Sequence, residues 1–136
     1  MNIIQLKRVY DPVCEADGTR ILVERLWPRG ITKEALHHDC WIKDAAPSDD
    51  LRRWFGHDPA KWPEFRRHYF AELDQHPEAV QAICTAVEGG PVTLLYSAHD
   101  KEHNNAVALR EYLLAHASTP TCRVPDREET AAVACC

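Results

Sequence analysis

The sequence predicts an α/β fold: a small three-layer domain over residues 1–116, with a short, mostly parallel sheet and flanking helices. Three observations carry that expectation. Strand-like runs alternate with amphipathic helical stretches, the pattern of a sheet whose crossovers are helices. Val92-Thr93-Leu94-Leu95-Tyr96 is a near-continuous apolar run, as expected of a central strand covered on both faces. From Ala117 the composition changes to Ser, Thr, Pro, Arg and Glu with small residues. Residues 117–136 therefore read as a flexible C-terminal extension, with too little apolar surface to offset the entropy of ordering it.

The elements follow in order. Residues 3–9 alternate as a first strand, closed by Tyr10-Asp11-Pro12. Residues 20–24 are apolar and β-branched but short, so periodicity leaves strand and helix open. Thr32 caps a brief helix to Leu36 or His38, and residues 40–43 form the next strand. Ser48 caps a short helix with Asp49 and Asp50 in its first turn, where the helix dipole favours negative charge. Leu51, Trp54 and Phe55 share its inner face, and Gly56 stops it. After a tight turn over 58–62, Pro63 opens a helix whose inner stripe is Phe65, Tyr69 and Leu73. His76-Pro77 opens another, with Val80, Ile83, Cys84 and Val87 inward, ended by Gly89-Gly90-Pro91. Asp100 caps a last helix over 101–115, with Ala106, Leu109 and Leu113 inward.

The chain has 136 residues, 27% of them charged, and a formal net charge of -5. That balance argues against a generic nucleic-acid coat, which is basic. No run approaches the roughly 18 apolar residues of a membrane span. The amino end lacks the apolar core of a signal peptide. A cytoplasmic location follows as the expectation, with the six cysteines as reduced thiols.

The densest chemistry lies in Arg25-Leu26-Trp27-Pro28-Arg29-Gly30. Guanidinium forks match carboxylates and phosphates, and an indole offers a face to a ring or a cation. In open α/β sheets ligands collect at the carboxyl ends of the strands. Those ends gather Arg8 and Asp11, then Arg25, Trp27 and Arg29, then Ser97 and Asn104. One pocket is expected there, with the arginines on an anion and Trp27 stacked on any planar moiety. Ser97 and Asn104 would orient polar groups, and Asp11 or His57 would be the acid or base.

Other motifs weigh less. There is no Gly-x4-Gly-Lys loop, Gly-x-Gly-x-x-Gly turn or Gly-x-Ser-x-Gly elbow, and no cofactor is assigned. His99 and His103 stand four apart, a spacing that can clamp a metal, but a third ligand is missing and capping roles are favoured. His37-His38-Asp39-Cys40 invites the same reading and the same answer. Cys135-Cys136 is a soft-metal pair in form, on a tail where thiols are more often inert. No metal site is assigned.

Lys7-Arg8-Val9-Tyr10-Asp11-Pro12, Asp17-Gly18 with Arg25-Leu26-Trp27-Pro28-Arg29-Gly30, Ala46-Pro47-Ser48 with Leu51-Arg52-Arg53-Trp54-Phe55, and Thr93-Leu94-Leu95-Tyr96-Ser97-Ala98 resemble, in order, the DUF488 family and its YeaO-like branch. The resemblance covers about residues 3–115 and implies an α/β fold with a shared pocket. The family carries no assigned reaction. Its pattern has a lysine where His99 stands and a histidine where Asn105 stands, which speaks against a metal role for position 99. Its members end near residue 116, which makes the tail an addition.

The leading expectation is a binder of a small anionic ligand, phosphate-bearing or nucleotide-like, with or without a reaction on it. The alternative is a nucleic-acid-associated module using the same Arg/Trp surface. A protein-interaction domain with a Trp-rich surface is a third reading.

Overall fold

The computed structural model describes residues 4–116, and the expected tail lies outside them. Four parallel strands form one sheet in the order β1-β4-β2-β3, with β1 at Ile4–Arg8, β2 at Thr19–Leu22, β3 at Cys40–Trp41 and β4 at Val92–Tyr96. The fold is the small α/β domain that the sequence predicts. β4 is last in the chain yet inserts between β1 and β2. It runs beside β1 from Ile4↔Val92 to Arg8↔Tyr96, and beside β2 from Thr19↔Val92 to Leu22↔Leu95. All five of its residues are buried.

Pairing resolves the ambiguous run at 20–24. With β4 on one side and β3 on the other, β2 must be extended to fill its ladder. β3 is shorter than expected, because Lys43–Ala45 already turns as a 3-10 helix.

Side chains alternate across the sheet. Val92, Leu94 and Tyr96 enter the larger core, while Leu95 enters a smaller one with Val9, Leu22 and Leu36. The larger core is closed by four helices: α2 (Asp49–Phe55), α3 (Trp62–Asp74), α4 (Pro77–Glu88) and α5 (Asn105–His116). The opposite face carries the short helix α1 (Lys33–Leu36), with Trp27, Ile31 and Trp41 packed beside it. The three layers are therefore uneven.

The helix starts obey local chemistry. Thr32 Oγ1 accepts the Ala35 N–H at 3.1 Å, and Ser48 Oγ accepts the Leu51 N–H at 3.2 Å. Phe65, Tyr69 and Leu73 line the buried side of α3, and Ala79, Val80, Ile83 and Cys84 that of α4. Val87 is only partly buried. Two details differ from expectation. Trp54 is 40% exposed, because Leu51 and Phe55 fill the inner face of α2; the Lys61 ammonium lies over its ring instead. α5 begins later than residue 101. The Asp100 carboxylate accepts the N–H groups of Glu102 and His103 in a turn, and Asn104 Oδ1 then caps the helix by accepting the Val107 N–H at 2.9 Å.

Among the described cysteines, Cys14 is free and exposed. Cys40 and Cys84 are both buried, and each takes part in a disulfide bond. This corrects the expectation of reduced thiols at those two positions. No helix among the described residues is long and apolar enough to cross a membrane.

Candidate functional site

Because every strand runs the same way, the carboxyl ends of β2 and β4 open side by side. A cavity of about 480 Å³ lies there, within the range of pockets for small molecules. Glu24 and Arg25 reach it just past β2, and Ser97, Ala98, His99 and Asp100 just past β4. Asn104 and Asn105 enter from the start of α5, and Arg52, Phe55 and His57 from α2 and its end.

The loop of residues 43–48 makes one wall, held at four carbonyl or hydroxyl groups in succession. Buried Tyr69 donates its hydroxyl to the Ala45 carbonyl. Burial pushes that phenol well above its usual range, so it remains a neutral donor. Arg25 donates from Nη2 to the Ala46 carbonyl at 3.0 Å and from Nε to the Pro47 carbonyl at 3.2 Å. Ser48 donates its N–H and hydroxyl to the Glu72 carboxylate. The wall is thus preorganised by hydrogen bonds that the protein makes with itself.

Glu24 accepts the Ser97 N–H on Oε2 at 3.0 Å. Burial pushes its carboxyl above the ordinary range, against the opposing pull of Ser97 and the Arg52 charge. Asp100 has the opposite character. The N–H groups of Glu102 and His103, with the His103 ring at 3.0 Å, hold its carboxyl below the ordinary range. Asn105 donates its amide N–H to the Val23 carbonyl at 2.6 Å. The cavity therefore combines guanidiniums (Arg25, Arg52), imidazoles (His57, His99), and oxygen acceptors deeper in.

Of the residues singled out in the sequence, Arg25, His57, Ser97 and Asn104 line the cavity. The others are used elsewhere. Arg8 donates from Nε to the Ala98 carbonyl at 2.9 Å and from Nη2 to the Ser97 carbonyl at 3.4 Å, so it shapes the loop behind the site. Asp11 accepts the Arg8 backbone N–H at 2.9 Å, closing the turn after β1. Trp27 belongs to the smaller core: its Nε1–H donates to the Ile31 carbonyl at 2.7 Å, and its ring meets His38 and Trp41 edge-on. Arg29 is exposed, and its carbonyl accepts the Tyr10 hydroxyl. Asn104 divides its amide between the Asp100 carbonyl and the α5 cap.

Sequence reading passed over Glu24 and Arg52. Glu24 looked like the end of an apolar run, although it immediately precedes the Arg25 motif. Arg52 entered only as part of the Leu51–Phe55 motif, and it lies exposed on α2, paired with Asp49. Among the described residues, no group of three or more His, Cys, Asp or Glu side chains is placed to hold a metal ion. Both positions at which the chain departs from the pattern it resembles, His99 and Asn105, line the cavity.

A family model described as "Inactive DUF488-N3 subclade" matches residues 3–136. The match continues past residue 116, where the resemblance had the family's members ending. The chain is 46% identical over 113 residues to the "Uncharacterized protein YeaO" of Escherichia coli (strain K12), covering 83% of this chain and 97% of that protein. It is 39% identical over 89 residues to the "Uncharacterized protein Rv3073c" of Mycobacterium tuberculosis, covering 65% of this chain and 74% of that protein. No solved structure matches the chain with significance.

Proposed function

The chain belongs to the DUF488-N3i family, described as the inactive DUF488-N3 subclade, and from that premise we propose that its strand-end cavity binds a small anionic ligand without transforming it. The observation that carries this reading is the meeting of Arg25 and Arg52 with His57, His99 and Ser97 around one cavity. Guanidiniums are the side chains best matched to phosphate or carboxylate oxygens.

Two further points support binding over turnover. Asp11, one of the expected acid–base groups, spends its carboxylate on a turn outside the cavity. The other, His57, is exposed at the end of α2 with φ 58°, and no carboxylate is hydrogen-bonded to its ring among the described residues.

Thermal unfolding in increasing inorganic phosphate, with chloride matched for ionic strength, tests the proposal. Binding at about a hundredfold excess over Kd adds about 2.7 kcal/mol, a rise in Tm of several degrees for a domain of this size. Arg52→Ala is the informative variant, because Arg52 is exposed and holds up no wall, whereas Arg25 does. The variant is expected to melt within a degree or two of the parent without phosphate, and to lose most of the phosphate-dependent rise. Equal rises in parent and variant would place any binding elsewhere.

A further inference from the structure

The polar groups of the cavity are not uniformly cationic. Arg52, His57 and His99 are exposed, so they stand at the mouth, whereas Glu24 and Asn105 are partly buried. The Glu24 carboxylate takes the Ser97 N–H on Oε2 and is also hydrogen-bonded by the Ser97 side chain, which leaves part of its acceptor capacity for a further donor. The Asn105 amide nitrogen is committed to the Val23 carbonyl, which leaves its Oδ1 as an acceptor on a residue that lines the same cavity. A bare anion satisfies only the mouth. An occupant that satisfies the interior must also bring donors, at a distance from its charge.

Resting on the anion-binding reading above, we propose that the cavity selects phosphate monoesters bearing hydroxyl groups, with Glu24 as the specificity-determining acceptor of a ligand hydroxyl. The phosphate sits at the mouth against Arg52, His57 and His99. The hydroxylated carbon chain points inward, where Glu24 and Asn105 accept its O–H groups. A volume of about 480 Å³ admits a five-carbon sugar phosphate in this orientation. Hydrogen bonds to an ionised acceptor are among the stronger kinds, and each 1.4 kcal/mol is a factor of ten in affinity. Discrimination by one such bond is therefore expected at about tenfold or more. Burial raises the Glu24 carboxyl, in keeping with a group that gains from a donor brought by the ligand.

The test is calorimetric titration of the full chain with inorganic phosphate, glycerol 3-phosphate and ribose 5-phosphate. The parent should bind at least one of the two esters about tenfold or more tightly than phosphate. Glu24→Ala should remove that advantage and leave phosphate affinity within about twofold. Glu24→Gln keeps an oxygen for the Ser97 N–H, which guards against loss of the fold, and should lose most of the same advantage. If phosphate binds but neither ester binds more tightly, the hydroxyl selection is overturned while the anion reading stands. If an ester is preferred and both Glu24 variants preserve the preference, the role of Glu24 is overturned. If nothing binds, the anion reading falls and takes this inference with it.

Discussion

Asp17→Ala is expected to destabilise the domain by about 3–5 kcal/mol, the range found when one member of a buried charged cluster is removed. Asp17 is 3% exposed and Arg20 4%. The Asp17 carboxylate accepts from the Lys7 ammonium at 2.9 Å, from the Cys14 N–H at 3.0 Å and from the Arg20 guanidinium. Arg20 in turn donates to the carbonyls of His37 and Leu36. The cluster therefore ties the approach to β2 to the strand β1 and the end of α1. Without Asp17, a buried guanidinium keeps its carbonyl partners but loses its counter-charge. Domains of this size have roughly 5–15 kcal/mol in total, so the variant stands near the limit of folding.

Denaturant unfolding of parent and variant reads the difference, and a loss under about 1 kcal/mol would contradict this account. Asp17→Asn, which keeps the shape, should fall between the two. The pH dependence has a definite sign. Burial alone would raise the Asp17 carboxyl, but its bonds with Lys7, Cys14 and Arg20 together outweigh burial and hold it below its ordinary 3.8. A depressed folded-state pKa gives stability that is fully present above the unfolded value and is lost as pH falls through the folded value. The gap between parent and Asp17→Asn should therefore be constant near neutrality and narrow only below about pH 4.

Gly18→Ala is expected to be of similar or larger effect. Gly18 has φ 66° and ψ -137°, a region open essentially to glycine alone. A Cβ there would lie 2.2 Å from the Pro91 carbonyl oxygen. That oxygen accepts the Thr19 N–H at 3.0 Å and begins the pairing of β2 with β4. Backbone strain of about 1–3 kcal/mol thus adds to a clash that is relieved only by moving the two central strands. We expect a drop in Tm on the order of 10 °C or more, or failure to fold. Gly30→Ala is the control, since Gly30 has φ 76° and nothing within 4 Å of the added carbon. Its loss should be only about 1 kcal/mol, and equal losses at the two positions would remove the steric explanation.

The fold was legible where one physical rule dominates. β4 announced itself by apolarity, and α3 and α4 by spacing, because burial leaves few choices at those positions. The start of α5 was less legible, since Asp100 and Asn104 both carry capping side chains and only the turn between them decides which one caps the helix. The site was legible in place but not in detail. Strand direction fixed where a cavity forms, and Arg25 and Ser97 lie on it. What a guanidinium or an indole bonds to depends on carbonyls brought near by the fold. Arg8 meets carbonyls 89 and 90 residues away, and Trp27 turns back onto Ile31. Glu24 was passed over for the converse reason, because an acidic residue after an apolar run gives no sign that it will face inward.

The most direct measurement is a titration of the ¹⁵N-labelled chain with inorganic phosphate, followed by amide chemical shifts. The account predicts saturable shifts concentrated at Arg52, His57 and the residues from Ser97 to Asn105 around the strand-end cavity. Shifts centred instead on the Trp27–Gly30 surface, or none up to tens of millimolar phosphate, would contradict it.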